Sequence, residues 1–266
     1  IQNNKIKISS QGLPVQSPLY VDFCPDSSRK RISRNCLDIV DNLTKELNID
    51  SWESLESFNL SLGFTEWHRL SMSRGAACSI YHELFLNLEP SMDVIKRNLR
   101  KSYKALINSD MSDWSIEVLD VADESVWNQF KELHLEVSGK KTRSDETWEI
   151  HFNDIKKQQG FLVYLANNSG KIDGGGFFNF TRDEGLYAVG ASKRTLFDKP
   201  LGHVIQYRAI QEFKKRGVVW YKLGPRPYLS EKPEATDKEI SIAEFKQGFA
   251  SHIFPRFILS HRRGDS

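Results

Sequence analysis

The sequence predicts an α/β fold built on a mixed sheet, and three observations predict it. Three strand-length apolar runs, 161–166, 172–180 and 185–191, follow one another across Asn-Asn-Ser-Gly (167–170) and Arg-Asp-Glu-Gly (182–185), both of hairpin composition. Helical periodicity flanks them: Trp127, Phe130, Leu133, His134 and Val137 before, Leu201, Val204, Ile205, Ala209 and Phe213 after. The chain has 266 residues, 39% of them hydrophobic and 11% aromatic, which is enough to pack a core and excludes a disordered chain.

The elements follow in order. LYVDF (19–23) has strand composition. Ile32, Cys36, Ile39, Val40, Leu43 and Leu47 recur at helical spacing as one face of a helix, with Asp26 or Ser27 placed to cap it. The stretch 48–75 scatters Trp52, Phe58, Phe64 and Trp67 without a period, and no element is assigned there. HELFLNLE (82–89) alternates like a half-buried strand. Pro90 and Ser91 break the chain before a helix near Met92. SIEVLDV (115–121) is a strand. The helix of Trp127 stops at Gly139, and Ser144 or Asp145 opens another with Trp148, Phe152 and Ile155 inward, closed near Gly160. Gly174–Gly176, inside a strand, signals a bulge or a close backbone approach. Asp198 and Pro200 start the helix that Gly217 ends. VVWYKL (218–223) is a strand, a Pro- and Gly-rich loop (224–237) leads to a short helix, and HIFPRFILS (252–260) is a final strand. The order from 115 onward is β-α-α-β-β-β-α-β-α-β.

Composition also narrows the function. A net charge of +2 argues against bulk electrostatic binding of nucleic acid but leaves room for a local basic groove. No apolar run approaches the roughly 18 residues of a membrane span, and the polar start IQNNKIKISS has no secretory core. Three widely spaced cysteines form neither a disulfide framework nor a C-x-x-C pair, so a reducing compartment, the cytoplasm, is expected. The histidines are dispersed, and no H-E-x-x-H, G-x-S-x-G or Walker loop occurs, so no metal is expected.

The element order is that of the GNAT acyltransferase fold, and the residues sharpen the likeness. KPLGHVIQYRAIQEFKKRG (199–217) resembles the helix after the fourth strand in the branch that includes the FemAB-like transferases. TDKEISIAEFKQGFA (236–250) resembles that branch's closing signature, ending in Phe-Lys-x-Gly-Phe. NLRKSYKALIN (98–108) resembles its basic helix between two GNAT-like halves. LHLEVSGKKTRSDETW (133–148) is similar to the acceptor-side segment of members found with surface-polysaccharide pathways. The resemblance covers most of 90–260. It implies a diverged or incomplete N-terminal GNAT-like half over 1–110, ending in the basic helix, and a complete GNAT-like acyltransferase domain over 111–266. It also implies transfer of an acyl group from an acyl-CoA-type thioester to an amine of an amino sugar or cell-envelope glycan precursor. Two alternatives stand beside this: a transferase using aminoacyl-tRNA on a peptidoglycan-type precursor, and a catalytically silent module that binds a glycan or a partner. Where standard members carry R/Q-x-x-G-x-G/A for phosphate, this chain has RTLFDKPLG (194–202), as the branch as a whole departs.

Acyl transfer to an amine needs a positioned donor, a stabilised oxyanion and a route for the proton. The resemblance places Gly190, Ala191, Pro200, Leu201, Gly202 and His203 around the donor, although Pro and Gly at a helix start are also ordinary punctuation. Lys246, between Phe245 and Phe249, is the candidate to meet an oxyanion, against the plain reading of a surface lysine. Glu239 is a candidate base, against a solvated carboxylate. His134 is a candidate base or orienter, beside Lys141 and Arg143 in a loop suited to an anionic acceptor. Trp148 and Tyr187 are further acceptor-side candidates, with a core role the competing account for Trp148. Lys96, Arg100 and Lys104 fall at i, i+4 and i+8, forming one stripe if a single helix carries them. That stripe is a candidate ridge for phosphate or tRNA, or a solvated helix side.

Overall fold

A computed structural model describes residues 7–9, 14–21, 23–56, 64–229, 231 and 235–262. The chain divides into two compact units, one of residues 1–82 with 254–266 and one of residues 83–253.

In the first unit, β1 (Lys7–Ile8) and β2 (Val15–Gln16) pair in parallel with β3 (Ser51–Leu55), and β10 (His252–Arg262) pairs antiparallel with β3. Helices α1 (Asp26–Glu46) and α2 (Glu66–Ser73) close its core on Leu37, Trp52, Trp67 and Leu259. Trp67 donates to the Ser54 hydroxyl at 3.1 Å, which satisfies the one polar group of its buried indole. Three expectations fail here. Leu19–Val21 and Phe23 form no strand (Asp22 lies outside the described residues); Leu19 and Phe23 are exposed and meet no second layer. Helix α1 starts at Asp26 after Pro25, with no side-chain cap, and Asp26 instead favours the positive end of the helix dipole. Its buried residues are Ser33 and Leu37, whereas Ile32, Ile39, Leu43 and Leu47 are exposed. The stretch without a readable period holds both β3 and α2; Phe58 lies outside the described residues.

The second unit follows the expected order. Its sheet runs β4 (Ala77–Asn87, joined through Glu83–Asn87), β9 (Trp220–Pro225), β8 (Glu184–Ser192), β7 (Ile172–Phe180), β6 (Gly160–Asn167), β5 (Trp114–Leu119). Pairing is antiparallel except between β8 and β9. Alternation along the strands feeds two cores. Leu162, Phe177 and Val189 pack with α5 (Glu124–Ser138) and α6 (Asp145–Lys156); Phe161, Val163 and Phe178 pack with α7 (Leu201–Lys215). The three glycines of β7 mark a close approach. A Cβ on Gly175 would stand 2.9 Å from the Phe130 ring of α5, and one on Gly176 would stand 3.0 Å from Ile205 of α7. Gly139 ends α5 at φ +70°, and Gly217 follows α7 at φ +75°.

The basic stripe does not form. The chain there makes two short helices, α3 (Met92–Asn98) and α4 (Lys101–Leu106), separated by extended backbone at Leu99 and Arg100. Leu99 is buried in the core, and the Arg100 amide donates to the Gly248 carbonyl at 2.9 Å, so tertiary bonds replace the helical ones.

Candidate active site

β8 and β9 pair only at Glu184–Trp220, Gly185–Tyr221 and Leu186–Lys222, and then part. Both strands carry the cause. The β7–β8 register steps from Phe178–Tyr187 to Phe177–Val189, which leaves Ala188 as a bulge. On the other strand, Gly224 takes φ +117°, which an L side chain rarely adopts, and the β4–β9 register shifts between Leu84 and Phe85. The strands therefore splay between the 185–191 and 218–223 runs, beside the Gly190 and Ala191 that the resemblance sets around a donor.

The closing signature supplies one wall, because α8 (Asp237–Gln247) delivers it there residue by residue. Phe245 lies against Gly202, whose Cβ would stand 3.3 Å from the ring, and meets His203 edge-on at 5.0 Å. Gln247 accepts from Arg226 Nε at 2.7 Å. Gly248 has the Tyr103 ring where a Cβ would be, at 2.1 Å, and Phe249 is buried beside it. Lys246 turns toward the parted strands. Its Nζ lies 5.1 Å from the centre of the Tyr187 ring and 3.0 Å from where a Cβ on Gly224 would be. Among the described residues it has no carboxylate or hydrogen-bond partner. Burial alone pushes its ammonium down to about 8.

Tyr187 does not offer its hydroxyl to an acceptor. The phenol is turned along β8 over Gly190, where a Cβ would stand 1.8 Å from the oxygen. Its ring stacks on Phe178 at 5.2 Å. Burial pushes the phenol up to about 12, outweighing the nearby Gln206 amide and the charge of Arg143, which both act the other way. Gln206 is itself buried and accepts from the Tyr221 hydroxyl.

The other wall is Arg143. Its Nη2 donates to the carbonyl of Ala188, the bulge residue, at 3.2 Å, and its Nη1 lies 3.2 Å from His134 Nε2. An arginine only donates, so Nε2 accepts and the His134 proton sits on Nδ1. Burial, then the Arg143 charge, lower the His134 pKa and keep the ring neutral. His134 thus holds Arg143, and its Nε2 lone pair is engaged. Lys141 and Lys131 converge on Asp145 at 2.7 and 3.0 Å. With Lys140, Arg143 and His134 they line a cavity of about 240 Å³. Trp148 touches that cavity but is a core pillar, only 4% exposed, with its ring edge-on to His134 and Trp127.

The other expected residues divide by what they touch. Pro200 precedes α7, and Gly202 and His203 occupy its first turn under Phe245 and Tyr103, while Leu201 and Ala191 are buried in the two cores. Burial, with Arg100 second, lowers the His203 pKa. Glu239 is exposed at the start of α8, where its carboxylate accepts from the Thr236 amide and hydroxyl, both at 2.8 Å. These bonds hold its pKa below the ordinary range, the opposite of what a base near neutrality needs. Lys96 donates to Asn108 Oδ1 at 2.7 Å, Lys104 to the Arg97 carbonyl at 2.5 Å, and Arg100 lies over the Tyr103 ring at 5.2 Å. The sequence reading missed Gln206, Tyr221 and Gly224. Gln206 stands between Ile205 and Ala209 in a run of mostly apolar buried positions, a signal that was present; the positive φ of Gly224 left none.

No protein-family profile and no curated protein sequence matches this chain. Solved structures do. A FemX structure aligns over 94% of this chain and 82% of its own at a TM-score of 0.68 and 12% identity. L-PGS from Bacillus licheniformis aligns over 90% and 75% at 0.61 and 14%. A tandem GNAT protein from the clavulanic acid biosynthesis pathway aligns over 88% and 70% at 0.51 and 11%. The fold of this chain is therefore similar to that of the FemX, L-PGS and tandem GNAT structures.

Proposed function

We propose that the chain is an acyltransferase whose 83–253 unit moves an acyl group from a thioester of the acyl-CoA type to an amine on an anionic acceptor. The observation that carries this is Lys246, an ammonium without a counter-ion where β8 and β9 part. A donor carbonyl placed there develops negative charge on oxygen in the tetrahedral intermediate, which a fixed, half-desolvated cation stabilises. The amine nitrogen bonds to the carbonyl carbon, the carbon–sulfur bond breaks, and the proton lost by the amine passes to the departing thiolate. Glu239 is spent on a cap and His134 Nε2 on Arg143, so neither is assigned as base.

The acceptor reading rests on the cavity of Lys131, Lys140, Lys141 and Arg143, in which, among the described residues, Asp145 is the one lining carboxylate. Such a lining suits a phosphate or carboxylate carried by the acceptor. An amino sugar or glycan precursor activated as a nucleotide sugar meets that description, and free cysteines fit a reducing, cytoplasmic setting. The thioester is preferred to aminoacyl-tRNA because Lys96 and Lys104, from the strongest basic run, are bonded within the fold. The first 110 residues are read as a diverged GNAT-like half, of which 83–110 fold into the 83–253 unit.

Melting curves with acyl-CoAs, aminoacyl-tRNAs and nucleotide-linked amino sugars test this. Saturating acyl-CoA should raise the melting temperature, by the equivalent of about 2.7 kcal/mol at a hundredfold excess over Kd. A response to aminoacyl-tRNA alone favours the RNA-borne donor, a response to the sugar alone favours a silent binding module, and no response from any of them removes the reading.

A further inference from the structure

We propose that Tyr187 is a positioning residue: the face of its ring holds the Lys246 ammonium in the splay of β8 and β9. The proposal rests on the acyl-transfer reading for its purpose but not for its geometry.

A lysine on the last turn of an exposed helix has four rotatable bonds and ordinarily follows solvent. Lys246 does not, although it has no carboxylate to hold it. The partner it has is the Tyr187 ring, with Nζ 5.1 Å from its centre, within the distance at which the negative face of an aromatic ring attracts a cation. Two glycines shape the place. Gly190 makes room for the phenol oxygen and Gly224 for Nζ, and a methyl at either position would collide or crowd, at 1.8 and 3.0 Å. Phe178 stacks on the ring. The titratable and charged groups on the packed elements include Glu184 and Tyr187 on β8, Tyr221 and Lys222 on β9, Tyr103 on α4, His203 on α7 and Arg143; of the carboxylates, Glu83 of β4 pairs with Lys222, Glu212 of α7 with Arg208 and Arg216, Glu239 of α8 caps its own helix through Thr236, and Glu244 of α8 lies 4.0 Å from Arg226. Among the described residues no carboxylate pairs with the Lys246 ammonium.

The ring stabilises the charged amine, so its removal lowers the pH at which Lys246 loses its proton. The test is the pH dependence of Lys246 acetylation by an amine-reactive anhydride, read by peptide mass mapping on the full chain. It uses no substrate, so it stands or fails apart from the enzymatic reading. Tyr187→Phe keeps the ring and should titrate as the parent does. Tyr187→Leu should shift the midpoint down by about 0.5–1.5 pH units. Tyr187→Met, which fills more of the space without a ring, should shift it as Tyr187→Leu does. If Tyr187→Leu does not fold, Tyr187→Met decides. An unshifted midpoint in the folded variants, or an equal shift in Tyr187→Phe and Tyr187→Leu, overturns the proposal.

Discussion

Two groups of cations in the 83–253 unit are held in opposite ways. Lys96, Arg100 and Lys104 sit close together in the chain, and each is occupied: by Asn108, by the Tyr103 ring and by the Arg97 carbonyl. Arg143 and Lys246 are about a hundred residues apart in the sequence, and neither is paired with a carboxylate. Arg143 rests on one backbone carbonyl and one neutral imidazole, and Lys246 on one ring. The first group keeps its charge in water and spends its hydrogen bonds on folding. The second is held partly out of water with its charge uncompensated, a cost that persists only where surrounding structure imposes it. Charge density along a chain is therefore a poor guide to where charge is used.

The largest way to break that comparison is Lys246→Met, which keeps the apolar stem and removes the charge. Turnover should fall about 10²–10³-fold, while the melting temperature holds or rises. A second signature follows from burial, which lowers the pKa to about 8. Between about 8 and the ordinary lysine value the unfolded chain binds the proton and the folded chain does not, so this group makes stability rise with pH there. The charged form is the one turnover needs, so activity should fall through the same window. Denaturant melts and rate profiles against pH, for parent and variant, check both slopes; a variant that loses stability but not rate returns Lys246 to a structural role.

Arg143→Lys comes next. A lysine has no planar fork and cannot satisfy the Ala188 carbonyl and His134 Nε2 while reaching an acceptor. Loss of a charged hydrogen bond should weaken the acceptor KM about 10–100-fold and leave the donor term alone. A change in the donor term alone would mean that the two substrates approach from the opposite sides. His134→Gln should do less, because an amide oxygen can also accept from Arg143. In the parent, His134 is neutral with a lowered pKa. Protonation below that value places two cations together, so acceptor affinity should drop on the acid side, and stability should rise with pH from the lowered value up to about 6.5. Acceptor KM measured from pH 5 to 8 in parent and His134→Gln separates these, since the variant should lose the acid limb.

Much of this was legible along the chain and some was not. From 115 onward the fold follows directly, because Ser144 and Gly139 mark helix ends and strand runs alternate between two cores. Before 80 it does not. The apolar stripe of α1 is real as a period but lies toward solvent, because period gives a face and not the direction in which the core lies. Within the site, Lys246 and Arg143 were visible as residue types in a motif and a loop. Their supports were not: an Ala188 bulge and a positive φ at Gly224 are backbone events that any small residue or any turn-forming pair can conceal.

The smallest expected effect sharpens the comparison from the other side. Lys104→Met removes a bond from Nζ to the Arg97 carbonyl, and that bond ties α4 back to α3 across the extended break at Leu99 and Arg100. The group is exposed, so its loss should lower stability by no more than about 1 kcal/mol. It holds no charge in the splay of β8 and β9, so kcat and both KM values should stay within the error of the parent. Were these residues a ridge for RNA, each cation taken away from a phosphate would flatten the salt dependence of binding by close to one unit of slope. Filter binding of tRNA to parent and Lys104→Met from about 50 to 200 mM salt reads this directly. Equal, weak binding by both keeps the 96–104 cations with the fold, and a flatter slope in the variant moves them into the substrate site beside Arg143 and Lys246.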